Sequence, residues 1–408
     1  MKKIAAVLVV AGAAVALVAS FDSLPLAQGG QDASKPDFVV HEWGTFTSMQ
    51  GSDGVTLEGL QHEEEELPSF VYSRTEVREC PLRDRGHKGL EVDVTKVTEK
   101  METPVTYFYS DKPLRARVRV CFNRGLLTQW YPVTDLLGPR EGKRSDGPID
   151  MSKIEKSFLE WDIEVLAPGK GASDVPAVAK GDPWQFARIP DSNCVRTMPR
   201  SAGRSGPSPE TEKFLFYRGL GTFTLPIKAT SEGRTLAIAN DGDDAIRHVF
   251  VLSVKDGRQA FAYVPEVAAR GSVKVERPTV EGQILPALRE KLVAEGLTER
   301  EAEAMVRTWE RSYFHTEGLR VLYVVPERVT DALLPIAITP APKAIRRVLV
   351  GRLECITPEV EAEVEAALRT MDRARLEKCG RFLEAHVRRV LAMTKDETVR
   401  KNALEVLK

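Results

Sequence analysis

Three stretches of the chain set histidine beside carboxylates: His41-Glu42, His62 with Glu63 to Glu66 in "QHEEEELP", and His315 with Glu317 in "YFHTEG". Neutral imidazole and carboxylate are the usual ligands of zinc and similar divalent ions. A site built from His41, His62, Glu63, His315 and Glu317 would hold such an ion and activate a water for hydrolysis. The spacing alone does not specify it, because the chain has no H-E-x-x-H and no two histidines four residues apart. In extended chain, moreover, His41 and Glu42 point to opposite faces and do not share one ion.

The aromatic residues carry a different chemistry. Trp43, Trp130-Tyr131, Trp161, Trp184 and Trp309 offer large apolar faces with polar edges, the material of a platform for a sugar or peptide. Trp43, Trp130 and Tyr131 are the first candidates for ligand contact. The run "NDGDD" at 240–244 is rich in oxygens but lacks the alternate spacing and distal Glu of a calcium loop, so it reads as a polar turn. No G-x-S-x-G, S-x-x-K or P-loop is present, which leaves nucleophilic and phosphate-cradling chemistry without a local motif. Five cysteines include no C-x-x-C pair. Cys355 and Cys379 are the closest in sequence and form the candidate disulfide.

These residues need elements to position them. "LRARVRV" at 114–120 alternates apolar residues with Arg115, Arg117 and Arg119, a half-buried strand with a wet arginine face that discourages edge pairing. With "TPVTYFY" before it and "SDKP" as the turn, it reads as a hairpin. "GLLTQWYP", a strand around Trp161, five candidates between 213 and 276, "GLRVLYVVP" and "AIRRVLVGRLECI" complete a β-rich body. "GTFT" occurs at 44–47 and again at 221–224, a weak sign of duplication. Thr298 and Glu301 have capping-box spacing and Gly296 suits a helix stop, so 284–313 is expected to be a helical hairpin. Thr357-Pro358-Glu359 signals a further helix start. The fold class expected is α+β, mainly β, with antiparallel sandwich-like sheets, a helical hairpin insertion and a helical C-terminal segment.

Compartment and organisation follow from composition. Lys2 and Lys3 precede an apolar run over residues 4–19, the layout of a secretory signal cleaved after Ala19 or Ala27. The expected division is a signal at 1–19, a flexible leader at 20–36, a first β region at 37–136, a loop-rich connector at 137–212, a second β region at 213–356 and a helical segment at 357–408. No other segment is apolar enough to span a bilayer. A formal net charge of −1 gives no electrostatic reason to expect nucleic acid.

"VVHEWGTFTS", "KMETPVTYFYSD", "GLLTQWYP", "EKFLFYRGLGTF", "AMVRTWERSYFHTEGLRVLYVVP" and "RVLVGRLECITPEVE", in this order, resemble a family of exported bacterial proteins with an N-terminal HEWGTFT motif. The resemblance covers most of 39–360. It implies a body that folds as one recurring unit and a peripheral tail after about Glu361, and it implies no activity, ligand or catalytic residue. The expected function is therefore a periplasmic or extracellular, non-catalytic binding or scaffold protein of the cell envelope, with an envelope component, a glycan or a protein as partner. A metal-dependent hydrolase using the His/Glu site is the alternative.

Overall fold

The strand Phe38–Gln50 is the hub of the architecture. Its alternation sends Phe38, Val40 and Phe46 into one apolar core and Trp43 into another. On one edge it pairs in parallel with Ala344–Cys355, from Val39 opposite Ala344 to Gln50 opposite Cys355. On the other edge it pairs antiparallel with Val105–Ser110 and Glu99–Met101. The chain between those two strands breaks at Thr103-Pro104, and the break is why residue 44 is glycine. A Cβ there would lie 2.4 Å from the Thr103 carbonyl oxygen, too close for any side chain, and that same oxygen accepts the Thr45 N–H at 3.2 Å.

The computed structural model describes residues 38–62, 66–74, 92–93, 96–139, 149–198 and 208–408, all within the unit Pro36–Lys408. The expected signal and leader, Glu63 and Cys80 lie outside them. The fold is α+β and mainly β, as the patterning predicts. A ten-stranded sheet around Phe38–Gln50 packs one face on a six-stranded sheet built on Leu114–Asn123 and Lys156–Val165. Val118, Val120, Trp161 and Ile163 meet Phe38, Val40, Leu215 and Tyr217 in the core between them. The opposite face of the larger sheet is covered by helices Ile284–Ala294, Glu299–Thr308 and Glu310–Phe314, whose Leu288, Leu292, Met305 and Trp309 pack on Trp43, Phe250, Leu252 and Leu322. No helix among the described residues is long and apolar enough to cross a membrane.

Several expectations are corrected. The strands Val105–Ser110 and Leu114–Asn123 are not a hairpin: the first pairs with Phe38–Gln50 and Leu215–Gly221, the second with Lys156–Val165 and Ile336–Thr339. The turn between them carries the chain from one sheet to the other, which period-two patterning cannot distinguish from a hairpin. The arginine strand is therefore no edge. Arg115 and Arg119 face Asp162 and Glu160 across the pair at 2.7 and 3.3 Å, and Arg117 is exposed. The proposed β regions at 37–136 and 213–356 are interleaved in one sheet, with Ala344–Cys355 and Leu215–Gly221 on either side of strands from the first region. The "GTFT" phenylalanines Phe46 and Phe223 meet edge to face at 5.8 Å.

The Cys355–Cys379 bridge is not formed. Cys121, Cys194, Cys355 and Cys379 are free thiols, because Cys355 ends a strand in the inter-sheet core while Cys379 packs with the C-terminal helices. Those helices, Pro358–Thr370, Leu383–Met393 and Glu397–Val406 among them, are not a peripheral tail. Arg381 reaches the buried Glu102 at 2.7 Å, and Glu361 accepts from the Ser52 N–H at 3.0 Å, its hydroxyl at 2.7 Å and Arg389 at 2.7 Å.

Candidate binding cavity

The first strand separates the chemistry of its own adjacent residues. Glu42 points into the inter-sheet core, fully buried, where it accepts from Arg347 at 2.6 and 2.7 Å, from the Thr106 hydroxyl at 3.1 Å and from the Tyr217 hydroxyl. Paired and hydrogen-bonded in this way, a charge is stable without water. His41 points to the helical side. Its Nδ1 donates to Glu301 at 2.9 Å, and its ring stands edge-on to Tyr109 at 5.2 Å. The Tyr109 hydroxyl donates to the other Glu301 oxygen at 2.6 Å, and the Thr298 N–H donates at 2.7 Å. Burial pushes the Glu301 carboxyl up, but His41, Tyr109 and the Thr298 N–H together hold it below its ordinary value. Glu301 thus closes the expected capping box with Thr298 and also ties the helical hairpin to the sheet.

The predicted metal ligands do not converge. His62 bonds Glu384 at 3.0 Å, and its carbonyl accepts Lys100 at 2.6 Å. Lys100 pairs with Thr47, six residues and about 20 Å along the strand from His41. His315 is exposed, and Glu317 accepts the Gly257 N–H at 3.1 Å. Both lie toward the far end of the sheet, where Arg320, Glu354 and Met49 are in register. Among the described residues no group of three or more His, Cys, Asp or Glu is placed to hold a metal ion. In the "NDGDD" turn, Asp243 and Asp244 are engaged by Arg270 and Arg328 at 2.7 and 2.8 Å.

Trp43 leads to a cavity instead. Its indole packs against Tyr107 at 6.4 Å and forms one wall of a space of about 50 Å³. Phe214, Phe216, Trp184 and Trp309 line it as well. Trp184 is held in place by Phe216 and Phe214 at 4.9 and 5.2 Å, and its Nε1 donates to Glu212 at 3.0 Å. Trp309 stacks on Tyr313 at 4.7 Å. Three of the five tryptophans thus meet here, although they are 125 to 266 positions apart in sequence. Trp130 and Tyr131, the other expected contacts, form no exposed platform: they are 1% and 3% exposed, with Trp130 in the inter-sheet core and Tyr131 packed behind Trp184 at 6.1 Å.

The cavity's polar atoms are unusual in their lack of partners. Trp309 Nε1, Ser312 Oγ and Thr103 Oγ1 are buried and have no hydrogen-bond partner among the described residues. Leaving such a group unmet costs about 1–3 kcal/mol, so three in one lining mark a place where another molecule's polar atoms belong. Glu102 and Arg218 line the inner end, with the Arg218 Nε donating to the Glu102 carbonyl at 3.1 Å. Burial would raise the Glu102 carboxyl, but Arg381, Lys100, Arg352 and Arg218 outweigh it and hold the group down at about 2. Glu66 and Asp182 line the cavity as well, and Glu66 is exposed. Sequence reasoning singled out Trp43, Trp184 and Trp309 as aromatics but missed Phe214, Thr103 and Ser312, which have no local motif.

No protein-family model matches the chain, and no curated protein sequence matches it. Among solved structures, the yeast delta-COP-I mu-homology domain aligns at 7% identity over 79% of this chain and 98% of that chain, with a TM-score of 0.25. The same domain complexed with a Dsl1 WxWxV peptide aligns at 7% identity over the same shares, with a TM-score of 0.26. Scores this low do not establish a shared fold.

Proposed function

We propose that this protein is an exported, non-catalytic binding protein of the cell envelope, and that its tryptophan-lined cavity receives a small polar group of its partner. The observation that carries the reading is the cavity itself: three indoles around a space with three buried, unpartnered polar atoms. Apolar walls with a few convergent polar groups are the usual make-up of a ligand site. The lining has no histidine and no cysteine among the described residues, and His41 is committed to Glu301. Export is supported by Lys2, Lys3 and the apolar run at 4–19.

Two measurements test this. Titration of small polar molecules such as methanol and formamide into the purified chain is expected to change tryptophan fluorescence saturably, because three of five indoles surround the cavity. Assay of the same sample on ester, phosphate and glycoside substrates is expected to give no turnover. Saturable turnover abolished by a substitution in the cavity would replace the binding reading with an enzymatic one, and silence in every titration would remove the cavity from consideration.

A further inference from the structure

A second cavity, of about 380 Å³, lies at a notch in the ten-stranded sheet and shares no lining residue with the tryptophan cavity. The strand Gly318–Val324 stops opposite Val350, while its neighbour Ala344–Cys355 starts further out. Pro326 has no N–H with which to continue the ladder, and the chain turns away there into the helix Glu327–Leu333. The first residues of Ala344–Cys355 are left without a strand on that edge, and Arg346 and Arg347 line the space so opened. Its volume lies in the range of small-molecule sites, roughly 300–1,000 Å³.

The lining carries seven charged side chains, and five of them are already matched. Arg347 is held by Glu42 at 2.6 Å, by Asp331 at 2.8 Å and by the Leu334 carbonyl at 2.7 Å. Arg247 meets one Glu295 oxygen at 3.0 Å, and His248 meets the other at 3.1 Å. Arg328 meets Asp244 at 2.8 Å. Arg346 and Glu327 are what remain: both line the cavity, both are exposed, and neither has a hydrogen-bond or ion-pair partner among the described residues. Arg346 is nevertheless positioned. Its stem crosses the turn of the helical hairpin, where a Cβ on Gly296 would lie 2.8 Å from its Cδ and 3.0 Å from its Nε. A purely anionic ligand would meet Arg346 but bring its charge among Glu327, Asp244 and Glu295. A purely cationic one would meet Glu327 but face the arginines. A ligand with both charges meets both vacant groups, and like-charge juxtaposition rejects the other two kinds.

We propose that this cavity binds a small zwitterion, its carboxylate on Arg346 and its ammonium on Glu327, as carried by a free amino acid or by the two ends of a short peptide. The test is calorimetric titration of the full purified chain, at low ionic strength, with alanine, dialanine, N-acetylalanine (which lacks the ammonium) and alanine amide (which lacks the carboxylate). The zwitterions are expected to bind about tenfold more tightly than either blocked compound. Arg346→Gln and Glu327→Gln change exposed side chains, and unchanged thermal unfolding checks that both variants fold. Each is expected to weaken zwitterion binding about tenfold. Arg346→Gln should leave alanine amide within about twofold, and Glu327→Gln should do the same for N-acetylalanine. Tighter binding of alanine than of dialanine assigns the site to free amino acids, and the reverse order assigns it to peptides. N-acetylalanine binding as tightly as alanine overturns the inference in favour of a plain anion site. Unchanged zwitterion affinity in either variant, or no binding of any of the four compounds, overturns it outright. The methanol and formamide titrations report on the tryptophan cavity, so failure at the notch leaves the binding reading standing.

Discussion

Replacing Arg381 with methionine tests whether the C-terminal helices belong to the body of the fold. Arg381 and Glu102 meet at 2.7 Å with side chains only 6% and 3% exposed. Methionine keeps most of the side-chain volume and removes the charge. The Glu102 carboxyl is held at about 2 against an ordinary 4.5. At about 1.4 kcal/mol per pH unit, that difference corresponds to roughly 3 kcal/mol of stability at neutral pH. That total is shared among Arg381, Lys100, Arg352 and Arg218, with Arg381 first, while breaking one side of a buried pair typically costs ~3–5 kcal/mol because the other charge is left uncompensated. The sign with pH follows from the depressed value. The stabilisation is fully present above the unfolded carboxyl's titration and is lost as pH falls toward the folded one. At pH 3 it is reduced to roughly 1.4 kcal/mol by linkage. Urea unfolding followed by tryptophan fluorescence at pH 7 and pH 3 measures both. The variant is expected to lose about 3 kcal/mol at pH 7 and less than half of that at pH 3, and Glu102→Gln combined with Arg381→Met is expected to lose less than the two single losses added. A loss below about 1 kcal/mol at pH 7, or one that does not shrink on acidification, would refute the buried-pair account and leave the C-terminal helices as the peripheral tail the sequence suggests.

Three further outcomes follow from the same contacts. Glu301→Gln weakens the tie to His41 and the capping box together, so amide hydrogen exchange across 284–308 is expected to speed up selectively, and uniform exchange in variant and parent would count against the tie. Because the Glu301 carboxyl is held below its ordinary value, the protection of these amides in the parent, corrected for the intrinsic pH dependence of exchange, should fall as pH falls through the acid range and stay flat above it. The thiols Cys355 and Cys379 are expected to alkylate fully after denaturation without reductant, and Cys379, whose thiol burial pushes up to about 11, should react slowly at neutral pH in the folded chain; a reducible bridge between them in mass spectrometry would contradict the structure.

What was legible in the sequence was mostly local. Period-two patterning locates the strands Leu114–Asn123 and Lys156–Val165, and the capping residues locate the helix starts at Glu299 and Pro358. Pairing is not local. Nothing within residues 103–120 records that a turn between two strands changes sheets, and nothing near Val39 or Ala344 records that they lie side by side in parallel. The cavity is a product of that pairing. Trp43 comes from the hub strand, Phe216 from a strand in the same sheet, Trp184 from the helix Trp184–Ala187 and Trp309 from the end of the helical hairpin. The tryptophans stand out in the sequence as aromatics, but only the sheet order shows which of them meet.

The "HEWG" stretch condenses the same point into four neighbours. Alternation separates His41 and Trp43 from Glu42, and that much needs no structure. The roles do need it. Glu42 is neutralised inside the sandwich by Arg347, 305 positions away, and His41 is fixed by Glu301, 260 positions away. Gly44 is required by a carbonyl at Thr103, and Trp43 alone reaches the cavity. Three of the four residues therefore hold the hub strand against its neighbours on both faces, and the fourth gains a fixed position from them. A binding wall set on the central strand of a ten-stranded sheet is held more rigidly than one on a loop. That rigidity is what a small cavity needs if its unpartnered donors are to meet a ligand without the ordering cost that a mobile site would incur.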